Sequence, residues 1–137
     1  MLSRLPGKPE LTVPLMPLIL IVDDSPTEQH VFSKALERQG YDTVVANDGE
    51  EALAMAEEVR PDVIVMDVVM PGMNGFQATR RLSRNPATAE IPVVIVSGKG
   101  QETDRIWGLR QGAAQYLVKP VKSEELVSAV EASLNHG

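Results

Sequence analysis

The chain has 137 residues and no cysteine, which excludes disulfides, thiolate metal sites and cysteine nucleophiles. It is 43% hydrophobic but only 4% aromatic, so aliphatic side chains and alanine must fill the core of what is, by length, one ordinary domain. A net charge of −6 argues against nucleic acid as the main partner, and at this length an attached output module is not expected.

Residues 1–17 hold Pro6, Pro9, Pro14 and Pro17 with no helical or strand period, and read as a flexible arm ahead of a domain at 18–137. Leu11–Val22 has the apolar look of a signal-peptide core, with Arg4 and Lys8 before it. Pro14 and Pro17 interrupt it, no small-residue cleavage site follows, and the run is too short to span a bilayer. A cytoplasmic protein with no membrane insertion is the expectation.

From Leu18 onward, short apolar runs alternate with amphipathic stretches. The runs are Leu18–Val22, Thr43–Ala46, Val63–Met66, Ile91–Val96 and Tyr116–Val118. They are mostly apolar without alternation, as strands of a parallel sheet are when both faces are covered. Ser25-Pro26-Thr27-Glu28 has the form of a capping box, opening a helix with the stripe Val31, Phe32, Ala35 and Leu36, and Gly40 stops it. Asp48 opens a second helix, with Ala52, Leu53, Ala56 and Val59 facing inward and Pro61 ending it. Phe76, Thr79 and Leu82 mark a third, closed by Asn85-Pro86. Ile106 and Leu109 mark a weaker fourth, loosened by Gly108. Ser123 caps the fifth, whose stripe is Leu126, Val127, Val130 and Leu134.

Five strand–helix units predict an α/β fold: a doubly wound, five-stranded parallel sheet with helices on both faces. Five strands favour the flavodoxin-like order 2-1-3-4-5 over the six-stranded dinucleotide-binding order. Ligands then bind beyond the carboxyl ends of strands 1, 3 and 4.

Those ends carry polar residues: Asp23-Asp24, Asp67, Ser97 and, after strand 5, Lys119. A single Asp after a strand is commonly a cap or turn residue, and Asp24 beside Ser25 could be one. Three Asp, a hydroxyl and a Lys gathered on one edge ask for a chemical reason, because carboxylates at the end of a core are costly unless paired or solvated. Three clustered carboxylates repel and call for a cation, and all-oxygen ligation with waters suits Mg2+. Lys119 adds a point charge for a phosphate, and Ser97 can donate to a phosphoryl oxygen. Together they form a phosphoryl-transfer set, and aspartate is a known covalent acceptor.

With those residues in hand, the stretch from Leu18 to Leu134 resembles the receiver domains of bacterial response regulators, of the CheY-like kind. The motifs are Ile21-Val22-Asp23-Asp24, Asp67 through Gly75, Val96-Ser97-Gly98, and Tyr116-Leu117-Val118-Lys119-Pro120. The resemblance implies that Asp67 is the phosphoacceptor, that Asp24 binds Mg2+ directly and Asp23 mainly through water, and that the backbone carbonyl of Val69 is the remaining ligand. It implies that Ser97 and Lys119 contact the phosphoryl group, that Tyr116 is the switch aromatic, and that the bond before Pro120 is cis. Asp23 to Glu28, Asn74 to Arg80, and Gln101 to Asp104 followed by Trp107-Gly108 resemble more closely the single-domain receivers of type IV pilus and twitching-motility systems, of the PilH kind. The arm at 1–17 departs from that group.

The partners so implied are a sensor histidine kinase or its phosphotransfer domain and a downstream output protein, with the chain a monomer or weak dimer. Two outputs are open: a switch of protein–protein interactions, or a phosphate sink draining a shared kinase. Val69 and Lys99 flank the expected path of hydrolytic water and lean in opposite directions. A dehalogenase-type phosphatase wants a second Asp at the position of Val69, so the chain is not expected to be an enzyme beyond its own phosphorylation and slow dephosphorylation. Gly98-Lys99-Gly100 is a poor dinucleotide loop, since it follows the wrong strand and lacks a third Gly. His30 and His136 lack metal-ligand spacing and read as surface residues. Residues 77–111 carry a balance of +3, which suggests a mildly cationic face.

Overall fold

The computed structural model describes residues 16–136, and His136 in backbone only. Five strands alternate with five helices: β1 (Leu18–Val22), α1 (Pro26–Glu37), β2 (Asp42–Ala46), α2 (Gly49–Val59), β3 (Val63–Asp67), α3 (Gly75–Arg84), β4 (Val93–Ser97), α4 (Glu102–Arg110), β5 (Gln115–Val118) and α5 (Ser123–His136). All strand pairs are parallel, in the order β2-β1-β3-β4-β5, so the expected doubly wound architecture is the one observed.

Strand side chains alternate between the two faces of the sheet, and each face has its own core. Leu20, Val22, Ile64, Met66, Val93 and Ile95 pack on one side with Ala52 and Ala56 of α2 and Ala78 and Leu82 of α3. Ile19, Ile21, Val63, Val65, Val94 and Val96 pack on the other with Phe32 and Leu36 of α1 and Leu126 and Val130 of α5. Every residue of β3 and β4 is buried, and each large aliphatic among them contributes about 1.5–3 kcal/mol of burial. That burial on both faces explains why the runs showed no polar alternation.

Local details depart from the expectations. Val31, placed in the inward stripe of α1, is 50% exposed, because Phe32, Ala35 and Leu36 alone cover the sheet. Ser123 is the first residue of α5 and not its cap; the Lys122 carbonyl accepts from the Leu126 N–H, which starts the helix one residue earlier. Ile106 and Leu109 of α4 are exposed, and the buried residue of that helix is Gly108. Of the expected arm, residues 1–15 lie outside the described residues. Pro17 is buried and its carbonyl accepts from the Asp42 N–H at 3.0 Å, so this residue of the expected arm packs on the domain just ahead of β1.

Candidate functional site

The carboxyl ends of β1, β3, β4 and β5 deliver the polar set to one edge. β1 runs into Asp23, whose N–H donates to the Ala46 carbonyl of β2 at 3.2 Å, which extends the sheet pairing one residue further. β3 ends in Asp67 and β4 in Ser97. Lys119 follows β5, where its N–H donates to the Ser97 carbonyl at 2.8 Å, and the Lys119–Pro120 bond is cis. Gly75 lets the start of α3 lie against the end of β3: a Cβ there would collide with the Asp67 carbonyl, and the Gly75 N–H donates to the Val68 carbonyl at 2.9 Å. The loop between Asp67 and Asn74 is thereby pinned, with the side chain of Val69 64% exposed.

Asp23, Asp24 and Asp67 come together: one carboxylate oxygen from each lies within 4.8 Å of the others. Asp23 and Asp67 are buried and Asp24 is exposed. Asp23 Oδ1 accepts the Ser25 N–H at 2.9 Å, while its buried Oδ2 has no hydrogen-bond donor. Burial raises the pKa of Asp67, the nearby Asp23 charge adds to the rise, and Lys119 only partly opposes it. Asp23 is raised by burial too, against the Ser25 N–H and Lys119. An orphaned buried oxygen among converging hard donors fits a divalent cation that takes oxygen ligands.

Lys119 holds the opposite charge. Its Nζ stands 2.8 Å from Glu28 Oε1, 3.3 Å from Asp67 Oδ1 and 3.6 Å from Asp23 Oδ2. Burial pulls its pKa down, but the three acidic neighbours outweigh that and leave it raised. Ser97 is fully buried, with its Oγ accepting the Lys99 N–H at 3.0 Å. Tyr116 donates its hydroxyl to the Lys99 carbonyl at 2.7 Å and stacks on Phe76 with ring centroids 6.5 Å apart.

Glu28 was missed as a site residue by the sequence reading, which gave it to a capping box. Only half of that box forms. Ser25 Oγ accepts the Glu28 N–H at a long 3.3 Å, but the reciprocal position is taken, since the Ser25 N–H goes to Asp23. The spacing alone could not separate the two fates of Glu28, because Lys119 is 91 residues away in the chain. A full capping box forms at α3, between Asn74 and Gln77, each side chain accepting the other's N–H at 2.9 Å. The cationic middle of the chain is partly realised as Arg80, Arg81 and Arg84, which line an open groove of about 850 Å3 with Glu50 and Met73, apart from the carboxylates.

Among the described residues no helix is long and apolar enough to cross a membrane. Residues 19–131 match the family model described as the response regulator receiver domain. The chain is 51% identical over 119 residues to protein PilH of Pseudomonas aeruginosa, covering 87% of this chain and 98% of that one. It is similar to the chemotaxis protein CheY4 of Vibrio cholerae, at 33% identity and a TM-score of 0.81, over 86% of this chain and 98% of that one. It is also similar, at 31% identity and a TM-score of 0.81, over 88% of this chain and 98% of that one, to the receiver domain of a sensor histidine kinase from Pseudomonas aeruginosa. That structure has a magnesium ion coordinated in its active site cleft.

Proposed function

The chain belongs to the response regulator receiver domain family, and from that premise we propose that it accepts a phosphoryl group onto Asp67 from a sensor histidine kinase or its phosphotransfer domain. The observation that carries this reading is the Asp67–Lys119 pair: a buried carboxylate at a strand end with an ammonium 3.3 Å from its Oδ1. Beyond its backbone hydrogen bond with Val68, the charges around Asp67 set it apart from a purely structural Asp. It faces two further carboxylates and a Lys, an arrangement that suits charge brought in by a ligand.

In the proposed reaction an Asp67 carboxylate oxygen attacks phosphorus of a phosphohistidine. The P–N bond breaks, an O–P bond forms, and the donor imidazole leaves. Asp23, Asp24, Asp67 and the Val69 carbonyl would hold Mg2+, which when bound supplies charge neutralisation for the phosphoryl oxygens. Lys119 neutralises a further oxygen, and the Ser97 hydroxyl donates to the third. Burial, more than the neighbouring carboxylates, raises the pKa of both Asp67 and Asp23, which suits a site completed by a cation. The chain turns over no other substrate, and its only catalysis is its own phosphorylation and slow dephosphorylation.

The output is a change of protein–protein contacts through Ser97, Tyr116 and α4, in the cytoplasm. The likeness to PilH supports a chemotaxis-like pathway serving type IV pilus motility. Incubation with a labelled kinase and Mg2+ tests the reading: label should pass to the wild-type chain and not to Asp67→Asn. A label that persists for minutes favours the switch; loss within seconds, with the kinase drained, favours the phosphate sink.

A further inference from the structure

We propose that Glu28 is a positioning residue that divides the Lys119 ammonium between itself and Asp67, to which Lys119 donates a hydrogen bond at 3.3 Å, until a phosphoryl group competes for it; this rests on the assignment of Asp67 and Lys119 above. One ammonium serves three carboxylates, and the shortest contact is to Glu28, at 2.8 Å against 3.3 Å to Asp67 and 3.6 Å to Asp23. Glu28 sits in the first turn of α1, across the cleft from β3. Its ordinary role there would be to accept the Ser25 N–H, but Asp23 Oδ1 occupies that donor. Glu28 is thereby diverted to Lys119.

The contact is suited to exchange. Glu28 Oε1 lies close to the ammonium but off a good hydrogen-bond line, so charge more than directed bonding holds the pair. The contacting Oε1 is buried, but the Glu28 side chain as a whole is 37% exposed, so water stands beside the pair and weakens the attraction in part. A phosphoryl group on Asp67 brings roughly two negative charges and several acceptor oxygens to within reach of the same ammonium. It outcompetes one partly solvated carboxylate. Glu28 therefore sets how readily Lys119 turns to the phosphoryl group, and holding the ammonium back weakens phosphoryl binding.

Beryllofluoride with saturating Mg2+ is the probe, titrated by calorimetry into the full chain. Glu28→Gln should bind it roughly two- to five-fold more tightly than wild type, the range expected of a screened ion pair. Glu28→Asp, which keeps the charge but is one methylene too short for the contact, should shift affinity in the same direction. In a Lys119→Met background Glu28→Gln should have no effect. An equal gain with and without Lys119, no gain at all, or weaker binding by Glu28→Gln would overturn the proposal. A second arm needs no ligand: in lysine side-chain NMR of the metal-free protein, the Lys119 ammonium should be ordered against Glu28 in wild type and shift towards Asp67 in Glu28→Gln. If wild type failed to bind beryllofluoride, the function proposed for Asp67 would be what fails, and a mobile wild-type Lys119 would still sink the role of Glu28.

Discussion

Gly108 and Tyr116 share one space: a Cβ on Gly108 would stand 2.8 Å from Tyr116 Cδ2 and 3.2 Å from Ile95 Cδ1. The missing side chain on α4 is what admits the Tyr116 ring between that helix and Phe76, with the hydroxyl on the Lys99 carbonyl. A methyl at 108 would raise helix propensity by about 1 kcal/mol, but overpacking of a fitted site costs about 1–3 kcal/mol. Gly108→Ala should therefore destabilise in urea unfolding and push Tyr116 outward, visible as a larger ring exposure to solvent quenchers. A more stable Gly108→Ala with an unmoved Tyr116 would mean that the space is slack.

Trp107 adjoins Gly108 and is 49% exposed, so it reports on α4 directly. Adding beryllofluoride with Mg2+ should change its fluorescence if Ser97 and Tyr116 relay the state of Asp67 to that helix. Ser97→Ala should blunt the change, because the buried Oγ that the phosphoryl group would draw forward is gone. A flat Trp107 signal at saturating ligand would mean that α4 does not respond.

Asp24→Ala should lose most of the Mg2+ affinity of wild type in a calorimetric titration. One of three converging oxygen donors disappears, and with it a third of the charge that attracts the ion. Unchanged affinity would show that Asp24, the exposed member of the trio, is not a ligand.

The metal-free protein holds Asp67 charged at a cost. Its pKa is raised by burial and by Asp23, so between its unfolded value and that raised value the folded state binds more protons than the unfolded one. Stability from this group is thus greatest at low pH and is lost as pH rises through the folded pKa. Asp67→Asn removes the charge and should stabilise the metal-free chain at neutral pH, seen as a higher melting temperature. The advantage should shrink as pH falls and the wild-type carboxyl protonates. An advantage that grows on acidification, followed by thermal melting with chelator present, would reverse the sign of the argument.

The strands and their order were legible because burial on both faces leaves an unmistakable apolar run, and because Asp23, Asp67 and Ser97 fall at the ends of those runs, where a doubly wound sheet gathers them. Relations between distant segments were not legible. Glu28 looked like a cap because its local alternative is a backbone N–H three residues away, and only the folded chain brings Lys119 to it. Ile106 and Leu109 marked α4 as a weak helix, and both are exposed on it. The packing of α4 instead turns on Gly108, where the signal is an absence of side chain that sequence reads as loosening. Val31 was misplaced for a related reason, since a narrow α1 contact leaves one apolar position of the stripe in solvent.

Whether Asp67 carries the phosphoryl group is read by mapping the modified residue itself. The chain is to be phosphorylated by its kinase or by acetyl phosphate with Mg2+, reduced with borohydride to trap the acyl phosphate, digested and sequenced by mass spectrometry. Asp67 should be recovered as homoserine, with Asp23 and Asp24 untouched. Trapped product at any other residue, or none at Asp67 in a chain that has taken up phosphate, would contradict phosphorylation at Asp67.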